Sequence, residues 1–130
     1  MSGAYVLDPS AIGRFGTSLV LGKLVAGAVV AGSTLLLPVL SYAEALASAI
    51  DKERYHILLG LRDRSAVTVL PALATDVEEL AGGVETAGSL GAAHAAVEAG
   101  RHGAVLITAD RATMEPELPD GWIILDVAMD

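Results

Sequence analysis

Residues 104–110 read AVLITAD, an apolar run that ends in an aspartate. The same pattern occurs near the start of the chain, where residues 4–8 read AYVLD, and a third apolar run, residues 34–37, precedes a stretch that carries Glu44. Short apolar runs bounded by polar residues predict buried strands. A carboxylate that follows such a strand lies near its carboxyl end, where α/β proteins build their binding sites.

Predicted helices separate these strands along the chain. We predict strands at residues 4–7, 34–37, 66–70, 104–107 and 122–127, and helices at about 17–31, 38–49, 51–60, 76–84 and 90–101. Asp51 and Ser89 are predicted N-caps, Thr75 with Glu78 resembles a capping box, and Gly103 follows a helix end. Repeated strand–helix alternation predicts an α/β fold in which helices cover both faces of a mostly parallel sheet.

Composition fits one domain, residues 1–130, with a packed core, since 53% of the residues are hydrophobic. The chain contains no cysteine, which excludes a disulfide framework and a zinc–thiolate site and is typical of a cytoplasmic protein. Sixteen acidic and eight basic residues give a net charge of −8. A field of this sign repels nucleic acid at long range and favours a basic partner.

The apolar segment 19–40 reaches the length of a membrane span, roughly 20 residues. Gly32 and Pro38 interrupt it, so it is predicted to be a helix followed by a short strand. The helix 17–31 is apolar nearly all round, and we expect it to be well buried. A membrane-inserted protein is therefore the weakest of three function classes, and a signal peptide is not expected because Asp8 precedes the apolar run.

Asp8, Glu44 and Asp110 are candidate ligands of a divalent metal ion. Carboxylates that meet at one edge of a sheet repel one another unless a cation lies between them, and Mg²⁺ prefers oxygen ligands. Each acid also has a simpler interpretation. Asp8 could cap the next helix, Glu44 could be a solvated helix residue, and Asp110 could be a turn residue.

The order of these motifs resembles that of PIN domains, in particular the small VapC-type toxins. The resemblance rests on four stretches, residues 6–12 (VLDPSAI), 37–46 (LPVLSYAEAL), 91–99 (GAAHAAVEA) and 105–111 (VLITADR). Each motif alone is weak. Together they cover nearly the whole chain in the family's order and at ordinary spacings.

The resemblance implies a PIN-like three-layer α/β/α sandwich and a metal-dependent ribonuclease of toxin–antitoxin type. Mg²⁺ or Mn²⁺ would be held by Asp8, Glu44 and Asp110, and would activate water for attack on an RNA phosphodiester. Ser10 and Thr108 would hold the carboxylates or waters by hydrogen bonds. A homodimer and a small basic antitoxin as partner are also implied.

One departure from the family pattern lies in the third motif, where the aligned position of the usual aspartate is Gly91. Glu98 lies seven residues further on, about 10 Å along a helix axis, and Glu85 could approach only if the loop before Gly91 folds back. Gly91→Asp is expected to restore the missing carboxylate. An inactive PIN-like module with a binding or regulatory role is therefore the alternative function, and His94 is predicted to be a partly exposed helix residue.

Overall fold

A parallel five-stranded sheet forms the centre of the protein. The computed structural model describes residues 3–129. Within them the strands are β1 (Ala4–Leu7), β2 (Thr34–Pro38), β3 (Val67–Leu70), β4 (Val105–Thr108) and β5 (Ile124–Asp126). Their order across the sheet is β3-β2-β1-β4-β5, and every neighbouring pair is parallel. The predicted α/β class is confirmed.

Helices connect the strands. They are α1 (Pro9–Ile12), α2 (Leu19–Ala31), α3 (Val39–Ala47), α4 (Lys52–Leu59), α5 (Val77–Ala87), α6 (Leu90–His102) and α7 (Arg111–Met114), with 3₁₀ helices at Gly60–Asp63, Ala74–Asp76 and Glu115–Glu117. The Asp51 and Ser89 side chains accept the capping hydrogen bonds of α4 and α6, as predicted. Gly103 ends α6 in the left-handed conformation, with φ of 59°.

Two apolar cores lie on opposite faces of the sheet, because successive residues of a strand point to opposite sides. Leu7 and Ile107 pack in one core with buried residues of α1 to α4. Val6 and Leu106 pack in the other core with α6 and α7 and the end of α5. The predicted three-layer α/β/α sandwich is confirmed, with β1 at its centre.

The prediction that the helix at 17–31 is well buried is wrong, because only three of its residues are buried. Helix α2 begins at Leu19, after Ser18 caps it. Its buried face consists of Leu21, Val25 and Ala28, whereas Leu19, Val29 and Val30 are 65%, 64% and 94% exposed. The helix forms part of an outer layer, so only one side meets the sheet. In residues 3–129, no helix is long and apolar enough to cross a membrane.

The predicted capping box at the start of the helix 76–84 is also wrong. Helix α5 begins at Val77, after the 3₁₀ helix Ala74–Asp76, and its N-cap residue is Asp76. The Asp76 carboxylate accepts hydrogen bonds from the Leu73 amide and from Arg101 on α6. A tertiary ion pair therefore positions Asp76, which the local pattern does not reveal.

The orientation of α2 predicts different costs for two substitutions on the same helix. Leu21→Ala removes a fully buried side chain from the core and should lower the free energy of unfolding by about 2–5 kcal/mol. Val30→Ala removes a side chain that is 94% exposed, and should change it by less than about 0.5 kcal/mol. Urea unfolding of both variants measures the difference. Equal losses would show that α2 is buried on both sides.

Candidate functional site

The candidate site lies at the carboxyl ends of the central strands. Strands β1 and β4 are direct neighbours, with Leu7 paired to Ile107. The chain turns into α1 immediately after Asp8 and into α7 immediately after Asp110. Asp8, Asp110 and Glu44 of α3 all line one cleft of about 350 Å³. The topology therefore brings the three predicted carboxylates to one place.

Asp8 is held inside the protein by three hydrogen bonds. Its Oδ1 accepts from Ser10 Oγ at 2.7 Å and from the Ala11 amide at 2.9 Å, and its Oδ2 accepts from Thr108 Oγ1 at 2.6 Å. Ser10 Oγ also accepts from the Ala109 amide at 2.8 Å. Ser10 and Thr108 therefore position Asp8, and the same network joins β1 and α1 to the end of β4. Asp8 is also the N-cap residue of α1.

Burial raises the pKa of the Asp8 carboxyl above its ordinary value of 3.8. Hydrogen bonds from Thr108, Ser10 and Ala11 oppose this effect, and repulsion from Asp110 adds to it as the smallest contribution. Like charges held close together raise the pKa of at least one of them. The structure identifies Asp8 as such an acid, but loss of water around it, rather than like charge, is the main cause.

Glu44 binds the start of α6. Its Oε1 accepts from the Gly91 amide at 3.1 Å, and its Oε2 accepts from Ser89 Oγ at 3.0 Å. The amides at a helix start have no partner within the helix and carry partial positive charge. The negative charge of Glu44 is therefore stabilised by α6, and its carboxylate is engaged there.

Position 91 has no space for a side chain. A Cβ atom on Gly91 would lie 2.7 Å from Glu44 Oε1, 2.8 Å from Pro9 Cγ and 3.0 Å from the Leu40 carbonyl oxygen. The α6 residue that lines the acidic cleft is its neighbour, Ala92. A carboxylate on α6 would thus face the cleft from position 92, and Gly91→Asp would be obstructed.

Asp110 is the N-cap of α7, whereas its simpler interpretation from the sequence was a turn residue. Its Oδ1 accepts from the Thr113 amide at 3.3 Å and its Oδ2 from Thr113 Oγ1 at 2.7 Å. The Asp110 amide donates to Thr108 Oγ1 at 2.9 Å. Asp110 is exposed, and both of its carboxylate oxygens are engaged at the first turn of α7.

The three carboxylates line one cleft without being gathered into a cluster of metal ligands. Across residues 3–129, no group of three or more Asp, Glu, His or Cys side chains is placed to hold a metal ion. Glu85 and Glu98 do not line the described cleft, and Glu98 instead pairs with Arg101 and His102. The expected Mg²⁺ or Mn²⁺ ligand set therefore lacks both a carboxylate from α6 and a free Glu44.

Sequence reasoning missed the role of His94. The side chain is fully buried, so the prediction of partial exposure is wrong. Its Nδ1 accepts from the Leu40 amide at 3.3 Å, and burial lowers the pKa of the ring. The available signal was the surrounding sequence, because the alanines and the glycine around His94 are small and allow neighbouring elements to pack closely against α6.

No protein-family model matches the sequence, and no curated protein matches it. Solved structures do. FitAcB from Neisseria gonorrhoeae has a TM-score of 0.60 at 13% identity, covering 97% of this chain and 99% of that chain. PAE2754 from Pyrobaculum aerophilum has 0.59 at 22% identity, with 96% and 92% covered. VapBC2 from Rickettsia felis, bound to a DNA fragment from their promoter, has 0.54 at 20% identity, with 95% and 98% covered.

The chain has a PIN-like fold. The likeness extends over nearly the full length of each partner in the comparison, so it concerns the whole PIN fold and not one motif. At these identities it establishes the architecture. Chemistry must be argued from the residues of the cleft.

The crowding around Gly91 predicts a cost for the smallest possible side chain. Gly91→Ala forces a Cβ against two side chains and a backbone oxygen, and should lower the free energy of unfolding by about 1–3 kcal/mol. Gly100→Ala is the control on the same helix, because no atom lies within 4 Å of its added Cβ. It should raise stability by up to about 1 kcal/mol. Thermal or urea unfolding of both variants distinguishes crowding from helix propensity.

The pKa of Asp8 can be measured directly by NMR of its carboxyl carbon. The midpoint should lie above 3.8, so the contribution of Asp8 to stability is greatest at low pH and is lost as pH rises through the folded-state pKa. Thr108→Val should raise this pKa further, because it removes the most effective hydrogen bond to the carboxylate. Asp110→Asn should lower it only slightly. A larger effect from Asp110→Asn would make charge repulsion the main cause.

Proposed function

We propose that this PIN-fold protein acts by binding a partner protein and that its acidic cleft does not cleave RNA. The observation that carries the proposal is the state of Glu44, whose two oxygens bind Gly91 and Ser89 at the start of α6. To face a metal ion in the cleft, Glu44 would have to leave both donors. Ala92 supplies no carboxylate in its place.

The other two acids support the same conclusion. Asp8 is buried behind Ser10 and Thr108, and Asp110 caps α7. Each has a structural role that accounts for its position without a metal ion. Fewer available carboxylates weaken the binding of a hard divalent cation, and of a second cation most of all.

The distribution of charge supports a basic partner. Residues 65–130 contain eleven acidic residues and two basic ones. Both of these arginines are already paired, Arg101 with Asp76 and Glu98, and Arg111 with Glu115. An excess of charge of one sign accelerates encounter with a partner of the opposite sign and repels an RNA backbone.

The partner that we propose is a small antitoxin-like protein, with this chain as a homodimeric VapC-like component of a toxin–antitoxin module. One similar structure is VapBC2 solved on a DNA fragment from their promoter. Leu19, Val29 and Val30 of α2 are exposed apolar side chains, and we propose that such a protein covers this side of the helix. Partner binding would then be the retained function of the fold.

A metal-dependent toxin ribonuclease is the second candidate. The observation that favours it is the convergence of Asp8, Glu44 and Asp110 in one cleft, with Ser10 and Thr108 bound to Asp8. Under this alternative these three acids hold Mg²⁺ or Mn²⁺, and RNA is the substrate.

Metal titration of the wild type and of Ala92→Asp separates the two candidates. Under our proposal, millimolar Mg²⁺ or Mn²⁺ leaves the melting temperature of the wild type unchanged, and no metal-dependent cleavage of RNA is seen. Ala92→Asp places a carboxylate on the cleft wall and should gain a metal-dependent rise in melting temperature, about 2.7 kcal/mol of stabilisation at a hundredfold excess over Kd.

Gly100→Asp is the matched control, since it adds the same charge to an exposed position of α6 away from the cleft. It should show no response to metal. Metal-dependent stabilisation of the wild type together with RNA cleavage that Asp8→Asn abolishes would establish the ribonuclease instead.

A further inference from the structure

His94 links α6 to the start of α3. Its Nδ1 accepts a hydrogen bond from the Leu40 amide at 3.3 Å across the interface between the two helices. Helix α3 begins directly after Pro38, whose side chain has no atom that can accept a hydrogen bond. Leu40 is the second residue of α3, and its amide is one of those without a partner inside the helix. His94 of α6 therefore accepts a hydrogen bond from an amide in the first turn of α3. This is the role that a Ser or Asp side chain takes at the N-cap of many helices.

The helix start that His94 fixes also carries Glu44. Leu40 and Glu44 are four residues apart and lie on the same face of α3. Ser41 Oγ donates to the Gly91 carbonyl at 2.6 Å, and the Gly91 amide donates to Glu44 Oε1 at 3.1 Å. The contacts of Leu40, Ser41 and Glu44 therefore form one seam between α3 and α6, with His94 at one end and the acidic cleft at the other.

The His94 ring can accept at Nδ1 only while it is neutral. A charged imidazolium carries hydrogens on both nitrogens, so Nδ1–H would face the Leu40 N–H and the two donors would repel. In the neutral ring the hydrogen lies on Nε2. That atom is 3.6 Å from Glu98 Oε1 and has no hydrogen-bond partner of normal geometry in the described part of the chain.

Several charged groups act on the ring. Burial lowers the pKa of His94 below its ordinary value of 6.5, and Glu98, Asp76 and the Pro71 carbonyl oppose that shift, whereas Arg101 adds to it. Both carboxylates are engaged with Arg101, and Glu98 also contacts His102. Their negative charge is thus largely compensated, which leaves loss of water as the dominant effect on His94.

We propose that His94 is a pH-dependent positioning residue. Its neutral ring holds the start of α3 against α6, and protonation of the ring releases this seam and frees Glu44 from Gly91. This effect of His94 protonation does not depend on whether the cleft binds metal, because it changes the contacts between α3 and α6. It makes the position of an acid in the cleft sensitive to mild acidity.

The test compares the full-length wild type with His94→Asn between about pH 5 and pH 8. Asparagine can place an oxygen acceptor near the position of Nδ1 and does not titrate. Because the folded state disfavours the charged ring, the stability that His94 contributes is complete above pH 6.5 and is lost as pH falls below it. The equilibrium constant for unfolding should rise up to tenfold per pH unit from this group, and His94→Asn should remove that part of the slope.

His56→Asn is the control, since His56 is exposed on α4 and should leave the slope close to that of the wild type. Imidazole nitrogen NMR of the wild type gives a second readout that needs no variant. We expect an unprotonated Nδ1 at neutral pH, a titration midpoint below 6.5, and amide shifts at Leu40 and Gly91 that follow the same midpoint. A protonated Nδ1, a midpoint at or above 6.5, or an unchanged slope in a folded His94→Asn would overturn the proposal.

Discussion

The hydrogen bonds between the Glu44 carboxylate and the start of α6 determine how closely α3 and α6 pack and what the acidic cleft can bind. They require a residue without a Cβ at position 91, because Glu44 Oε1, Pro9 and the Leu40 carbonyl oxygen fill the space that a side chain would need. They also bring a negative charge to the helix end that favours one. Helices α3 and α6 can therefore approach closely, and the acid that crosses between them is occupied in holding them together.

The other two acids of the cleft are also satisfied by hydrogen bonds from the protein. Burying a carboxylate is costly unless donors surround it, and Asp8 receives three hydrogen bonds from groups on α1 and β4. Asp110 receives two from Thr113. These hydrogen bonds make Asp8 and Asp110 contribute to the packing of α1, β4 and α7.

The fold of this protein does not by itself determine the chemistry of its cleft. The similar structures share the whole fold with this chain at 13% to 22% identity. A parallel sheet with helices on both faces places the carboxyl ends of its strands together whatever residues stand there. Convergence of Asp8, Glu44 and Asp110 follows from that topology. Whether they act on a substrate depends on single positions such as Ala92, which the topology does not control.

Sequence alone determined the strand–helix alternation, most element boundaries and the location of the acids, because caps such as Asp51, Ser89 and Gly103 and short apolar runs act over a few residues. Tertiary structure decided which face of the evenly apolar α2 is buried, and that His94 is enclosed. It also decided that Ala92 lines the cleft while Glu44 binds α6. The partners in these contacts are distant in the chain, 47 residues for Glu44 and Gly91 and 54 for Leu40 and His94. No local pattern encodes them, since they depend on how closely two helices pack.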